Sequence, residues 1–272
     1  MTMTTTAQET KIFYHSQVEQ ALQNCQAAGY SPLFMPQLAE ARMNGTVPWN
    51  EWRSAPSIKA TGRTQQGNPV VVYAHIPNWL ANPANIRLTK QQGLINGAGR
   101  LPREEFLQLV DQDGKVEQGE RVVWVVDYDV LRKAPSGRIP VAQALEHPQT
   151  IPFLGGQARA EHYLSAHTRV YNTSTIGVWH TDDLNDNSPL ARLLYLSYLG
   201  DFGLSGDDGL GGSGQFVVVR NTSAEGAAQK ITAPTKTITT PSLDDILRVT
   251  SDLVPKFAQD ELTIRLRKLY KQ

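Results

Sequence analysis

"SIKATGRTQQGNPVVVYAHI", residues 57–76, decides how the rest of the chain is read. Two strand-forming runs flank a polar stretch carrying Gly67-Asn68, which suits a tight turn, so the segment reads as a β-hairpin. On its N-terminal side, "SQVEQALQNCQAAG" (16–29) reads as a helix. Ser16 and Glu19 match a capping box, Val18, Leu22 and Cys25 recur at helical spacing, and Gly29 closes it. A second helix is expected from near Pro36, and the segment Pro48–Ala55, with Trp49 and Trp52, reads as loop.

On the C-terminal side, helices are expected over Pro83–Gln92 and Pro102–Val110, each opening on a proline that suits the first helical position. "ERVVWVVDYDVL" (120–131) follows. Its apolar run does not alternate, which predicts a central strand buried on both faces. Two helical stretches, 139–148 and 156–170, precede three strands: "TIGVW" (175–179), "LARLLYLSYL" (190–199) and "QFVVVR" (215–220). The glycine-rich stretch between the last two reads as a long hairpin loop. Helix, hairpin, helices, strand, helices, strands is not a regular alternation. The expectation is α+β, with a mixed sheet of about five to seven strands flanked by helices.

Residues 1–8 are expected to be unordered and 9–220 to form the α+β body. Residues 221–241, rich in Thr, Ala and Pro, read as a linker or extended arm, and 242–272 as a helical C-terminal appendage. Leu262, Leu266 and Leu269 fall on one face of the last helix. An isolated helix of that length is marginal in water, so this face is expected to dock on a protein partner or on another copy of the chain.

The 272 residues carry 26 Lys plus Arg and 26 Asp plus Glu, a formal net charge of zero. That excludes the global basic excess usual in nucleic-acid binders and permits self-association. A single cysteine, Cys25, excludes an intrachain disulfide or a cysteine-built zinc site. The start is threonine-rich and unlike a secretory signal, and the apolar runs, about five residues at most, fall short of a membrane span. A soluble, cytoplasmic protein is expected, with signal-independent export left open.

Chemistry-bearing residues concentrate in "GVWHTDDLNDNSPLARLL" (177–194). Asp183, Asn185 and Asn187 have the alternate spacing of a calcium loop. Ser188 and Leu194, however, stand where such a loop needs glycine and a bidentate glutamate. A polar turn rich in Asx residues is the reading that remains. His75, His180 and Asp127 each end an apolar strand and would converge only if those strands were neighbours.

Two places together resemble motifs of the haloacid dehalogenase-like phosphohydrolases. "VVWVVDYDVL" resembles the first, an apolar strand followed by Asp-x-Asp. "TDDLND" (181–186) resembles the last. The resemblance implies Asp127 as nucleophile, Asp129 as general acid, Mg²⁺ held by Asp127, Asp182 and Asp186, and Arg159 in place of the family's phosphate-holding lysine. Two functions therefore stand at this point. The first is a non-catalytic interaction or assembly protein with no cofactor. The alternative is a Mg²⁺-dependent phosphohydrolase.

Overall fold

The computed structural model describes residues 9–197 and 203–220. The chain divides into two units, Met1–Ala224 and Glu225–Gln272. The expectations for 1–8, 221–241 and 242–272, including Leu262, Leu266 and Leu269, lie outside the described residues.

The described part is α+β. Its strands are β1 (Glu9–His15), β2 (Arg53–Arg63), β3 (Pro69–Ala74), β4 (Gly99–Arg100), β5 (Val116–Glu117), β6 (Glu120–Arg121), β7 (Val123–Asp127), β8 (Gly137–Pro140), β9 (Thr175–Trp179), β10 (Leu190–Leu196), β11 (Leu204–Ser205) and β12 (Gly214–Arg220). Its helices are α1 (Val18–Ala27), α2 (Met35–Met43), α3 (Pro83–Gln91), α4 (Arg103–Asp111), α5 (Tyr128–Lys133), α6 (Val141–Ala144), α7 (Thr150–Leu154) and α8 (Gln157–Tyr171).

Ten strands form one mixed sheet, and β5 and β6 make a separate small hairpin. The sheet exceeds the expected five to seven strands because β1, β4, β8 and β11 carry no clear strand signature. The path runs β1-β12-β2-β10-β11-β9-β8, with β3 beside β2, β7 beside β3 and β4 beside β10. The 57–76 hairpin is present as β2–β3, Ile58 facing Ala74 and Arg63 facing Pro69. Its turn is held by Gly67 N donating to Thr64 O and Thr64 N donating to Asn68 O. Gly67, at φ +86°, supplies the left-handed conformation that the turn requires.

The strand β2 begins at Arg53, inside the stretch read as loop, and is the hub of the sheet. It pairs with β10 along its length, with β3 at one end and with β12 at the other. Its register with β10 shifts between Leu193, facing Ile58, and Leu194, facing Ala55. The extra residues of β2, Pro56 and Ser57, make a bulge, where a proline costs no ladder hydrogen bond.

Both faces of the sheet are covered, which is why β10 is buried throughout. Val71, Tyr73, Leu194 and Leu196 pack with Leu38 of α2, Phe153 of α7 and Tyr163 and Leu164 of α8. Their neighbours in sequence, Val72, Ala74, Leu193 and Tyr195, pack on the other face with Leu22 of α1, Ile86 of α3 and Phe106 of α4. The period of two along β3 and β10 thus divides one apolar run between two cores.

Four local expectations are corrected. The segment 120–127 is not a central strand. Residues Val123–Asp127 pair with β3 alone among the described strands, only Val123 is buried, and Asp127 is exposed. Arg121 covers Trp124 instead, its guanidinium 4.1 Å from the ring centroid. Secondly, β10 and β12 are not a hairpin, because β2 lies between them. Thirdly, Gly137–Pro140 is a strand, and the helix expected over 139–148 is confined to Val141–Ala144. Finally, α1 starts at Val18 with no side-chain cap. Glu19 instead pairs with Lys90 of α3 at 2.9 Å.

Cys25 is buried, and burial pushes its thiol up to about 12, with Lys11 opposing weakly. It is a packing residue.

The edge position of β7 makes a prediction. Val125→Asp should leave the protein folded and cost about 1–2 kcal/mol, because the side chain is only half-buried. Val71→Asp, at a position 1 % exposed between the sheet and its helices, should cost at least twice as much. Urea midpoints of the two variants give the comparison.

Candidate functional site

The residue types that mark the site are two cations inside apolar strands. Lys59 lies between Ile58 and Ala60 in β2, and Arg192 between Ala191 and Leu193 in β10. The register sets them directly opposite each other. They are each 1 % exposed. Two like charges across a strand pair in a buried setting are strongly unfavourable unless an anion lies between them.

Asp183, 3 % exposed, is that anion. Arg192 donates from Nε to Asp183 Oδ2 at 2.9 Å and from a terminal nitrogen to Oδ1 at 2.8 Å, a bidentate pair. Lys59 Nζ reaches Oδ2 at 3.2 Å, and the Thr181 hydroxyl donates to the same oxygen at 3.0 Å. Burial alone would raise the Asp183 pKa. The Arg192 hydrogen bonds and the Lys59 charge outweigh it and hold the carboxyl below its usual range. Burial lowers the Lys59 pKa, and Asp183 opposes that shift.

The remaining donors of the two cations go to backbone carbonyls of three irregular segments. Lys59 donates to Thr181 O at 2.9 Å, on the segment after β9. Arg192 donates to Asp207 O at 2.7 Å and Asp208 O at 3.3 Å, after β11. It also donates to Asn96 O, before β4. Leu210 N donates to Gly97 O, and a Cβ on Gly97 would come within 3.0 Å of Gly209 Cα, so these two segments touch backbone to backbone. Gln149 reinforces the arrangement. Its amide donates to Trp179 O and Leu204 O while its oxygen accepts from the Tyr73 hydroxyl. One buried ionic cluster therefore fixes three surface segments, 93–98, 180–189 and 206–213.

Beside the cluster lies a pocket of about 280 Å³ lined by Trp52, Tyr195, Ser197, Asp208, Gly209, Gly212 and Ser213. The Trp52 and Tyr195 rings are 6.4 Å apart and tilted by 36°. Tyr14, 60 % exposed, stands edge-on to Trp52 at 6.3 Å. The carboxylates of Asp207 and Asp208 both accept from the Ser205 hydroxyl. Desolvation of its packed side raises the Asp208 pKa and the charge of Asp207 adds to this, while the Ser205 hydroxyl and the charge of Arg192 oppose it. A groove of about 350 Å³ elsewhere is lined by residues including Ile76, Trp79, Glu105 and Lys115. It is lined mainly by α4 and neighbouring turns, away from the ionic cluster.

Each residue of the phosphohydrolase-like motifs has a separate partner. Asp127 caps α5 by accepting from Val130 N at 2.9 Å. Asp129 pairs with Arg132. Asp182 accepts from the Tyr128 hydroxyl and from Leu184 N. Asp186 pairs with Arg63 at 3.1 Å. Arg159 lies between Glu40 and Glu120 and also donates to Leu154 O and Gly155 O. The Tyr128–Asp182 bond brings the two motif segments into contact. Even so, among the described residues no group of three or more His, Cys, Asp or Glu side chains is disposed to hold a metal ion. Millimolar Mg²⁺ should therefore move the melting temperature by less than about 1 °C, since only a ligand that binds the folded state stabilises it. A rise that Asp127→Asn with Asp182→Asn abolishes would support the motif reading instead.

The three strand-end groups do not share a site. His75 bonds Ser57 and Pro152 O, Asp127 caps α5, and His180 contacts Ala134 O with its ring 5.6 Å from that of His147. Trp49, Trp52 and Trp79 also separate. Trp49 packs on Tyr163 and Tyr171. Trp52 walls the pocket, and Trp79 lines the other groove. Asn185 makes the Asx turn expected of the polar loop, accepting from Asn187 N and Ser188 N.

No helix among the described residues is long and apolar enough to cross a membrane. No family model matches the chain, and no curated protein matches it. A solved structure reported for the accommodation of massive sequence variation in Nanoarchaeota by the C-type lectin fold is 48 % identical. It covers 78 % of this chain and 98 % of its own, with a TM-score of 0.71. The chain belongs to the same family as that protein and has its fold.

Proposed function

We propose that this member of the family is a non-catalytic recognition protein that contacts a protein partner through the segments 180–189 and 206–213. The observation that carries the reading is the Lys59–Asp183–Arg192 cluster. Its bonds spend buried charge on fixing the backbone of surface segments rather than on presenting a reactive group. Fixed irregular segments with exposed polar tips suit recognition, because little ordering entropy remains to be lost on binding. The related protein is described as accommodating massive sequence variation within the C-type lectin fold. A buried anchor that holds loop backbones independently of their exposed side chains supports the same tolerance here.

The test displays the full chain with Asp186, Asn187, Asp208 and Ser213 randomised, and selects against one protein target. The expected result is that most variants melt within about 5 °C of the parent, as surface changes away from core features do, and that binders emerge. A library that loses the fold, or that folds and yields no binder, overturns the proposal.

A further inference from the structure

We propose that the pocket between Trp52, Tyr195 and Asp208 binds a cationic ammonium group. The inference rests on the recognition reading above and names the chemistry of one subsite within it.

Three features of the pocket select for a positive charge. First, two of the residues that line it are aromatic. Trp52 and Tyr195 stand 6.4 Å apart at a shallow angle, and Tyr14 supports Trp52 from the outer side. An aromatic face attracts a cation through its negative quadrupole, tryptophan most strongly. Secondly, Asp208 lines the pocket, and among the described residues no basic side chain does. Among the described residues, Arg192 is engaged by Asp183 and backbone carbonyls, Lys90 by Glu19, and Arg53 by Glu51. Asp208, which lines the pocket, and its neighbour Asp207 have the Ser205 hydroxyl as their described hydrogen-bond partner, so neither carboxylate is in an ion pair among the described residues. Thirdly, the charge of Asp208 acts on Tyr195 itself. Burial, then Asp208 and more weakly Glu19, push the Tyr195 phenol well up.

The space agrees with this chemistry. About 280 Å³ admits a trimethylammonium head or the end of a lysine side chain. Ser197, Gly209, Gly212 and Ser213 also line it. Their polar groups suit the hydration or hydrogen bonding of a primary ammonium as well as the passage of a stem toward solvent. A neutral ligand of the same shape would gain the aromatic contact but not the charge interaction with Asp208.

The experiment uses the full chain and three small probes: choline, its neutral isostere 3,3-dimethyl-1-butanol, and N-acetyl-lysine amide. Saturation-transfer NMR and calorimetric titration follow binding up to roughly 50 mM, well above a dissociation constant near 1 mM. The expected result is that choline, the lysine derivative or both bind, and that the neutral isostere binds at least about ten-fold more weakly. Preference for choline assigns the site to a quaternary amine, and preference for the lysine derivative to a side chain of a protein partner. Asp208→Asn, at an exposed position, should weaken binding about three- to ten-fold without loss of fold, and Trp52→Leu should weaken it further. Equal binding of choline and the isostere, binding unaffected by Asp208→Asn, or binding by none of the probes overturns the proposal. In that event, success of the displayed library would leave the recognition reading standing, so the two fail separately.

Discussion

Asp183→Ala should destabilise the protein by about 3–5 kcal/mol, the cost of removing one partner from a buried charge cluster. The change leaves Lys59 and Arg192 directly opposed across β2 and β10, each 1 % exposed, with no anion between them. For a chain of this size that is a fall in melting temperature of roughly 10–15 °C. Replacing all three members with apolar residues of similar length (Lys59→Met, Asp183→Leu and Arg192→Met together) removes the repulsion with the attraction. This triple variant should be more stable than Asp183→Ala. Thermal melts of the two variants beside the parent decide the matter. An Asp183→Ala protein that melts within 2–3 °C of the parent, a shift of only about 1 kcal/mol, would show that the cluster carries no such strain.

The second large effect is acid destabilisation. His75 is buried against Ser57 and Pro152 O, and burial lowers its pKa to about 4, the Pro152 carbonyl opposing in part. His147 is likewise lowered to about 4 by burial, with the Pro135 carbonyl opposing and His180 adding to the shift. Burial, and then Lys59, lower His180 as well.

An unfolded histidine titrates near 6.5. Between about pH 6.5 and 4 the unfolded chain therefore holds protons that the folded chain does not, so stability falls as pH falls through that window and is level above it. His75 and His147 each contribute on the order of 3 kcal/mol at the limit. Urea unfolding at pH 7.5 and pH 4.5 should differ by several kcal/mol, and His75→Gln should reduce the difference by about half. Asp183 extends the loss below pH 4. Its folded pKa is depressed, so its contribution is present above the unfolded carboxyl range and is lost as pH drops from that range through the lower folded value. Equal urea midpoints at the two pH values would contradict the account.

The hairpin at 57–76 was legible because local chemistry sets it: a Gly-Asn turn between two strand-forming runs. The edge position of β7 was not. Its run Val122–Val126 is as apolar as a central strand, and its partial exposure depends on β3 being its sole described neighbour, which is a non-local fact. The insertion of β2 between β10 and β12 is hidden for the same reason.

In the aspartate-rich loop the composition correctly indicated a turn, yet only Asp183 of the loop's aspartates is buried. Its partners had a local signal: lone cations at Lys59 and Arg192 inside otherwise apolar strands. Buried charge needs a partner, so each lone cation points to an anion elsewhere. What the sequence could not supply was the register that sets the two cations opposite each other. The pocket is less legible still. It draws on residues 52, 195–197 and 208–213, each ordinary in its own surroundings, and only the fold brings them together.

The central claim is that buried charge fixes the recognition segments. Amide hydrogen exchange on the triple variant (Lys59→Met, Asp183→Leu, Arg192→Met) measures it directly, because that variant keeps its core while losing every bond from the cluster to the loops. The account predicts faster exchange at 93–98, 181–188 and 206–211 together, with protection in β2, β3 and β10 retained. Unchanged protection in those three segments would contradict it.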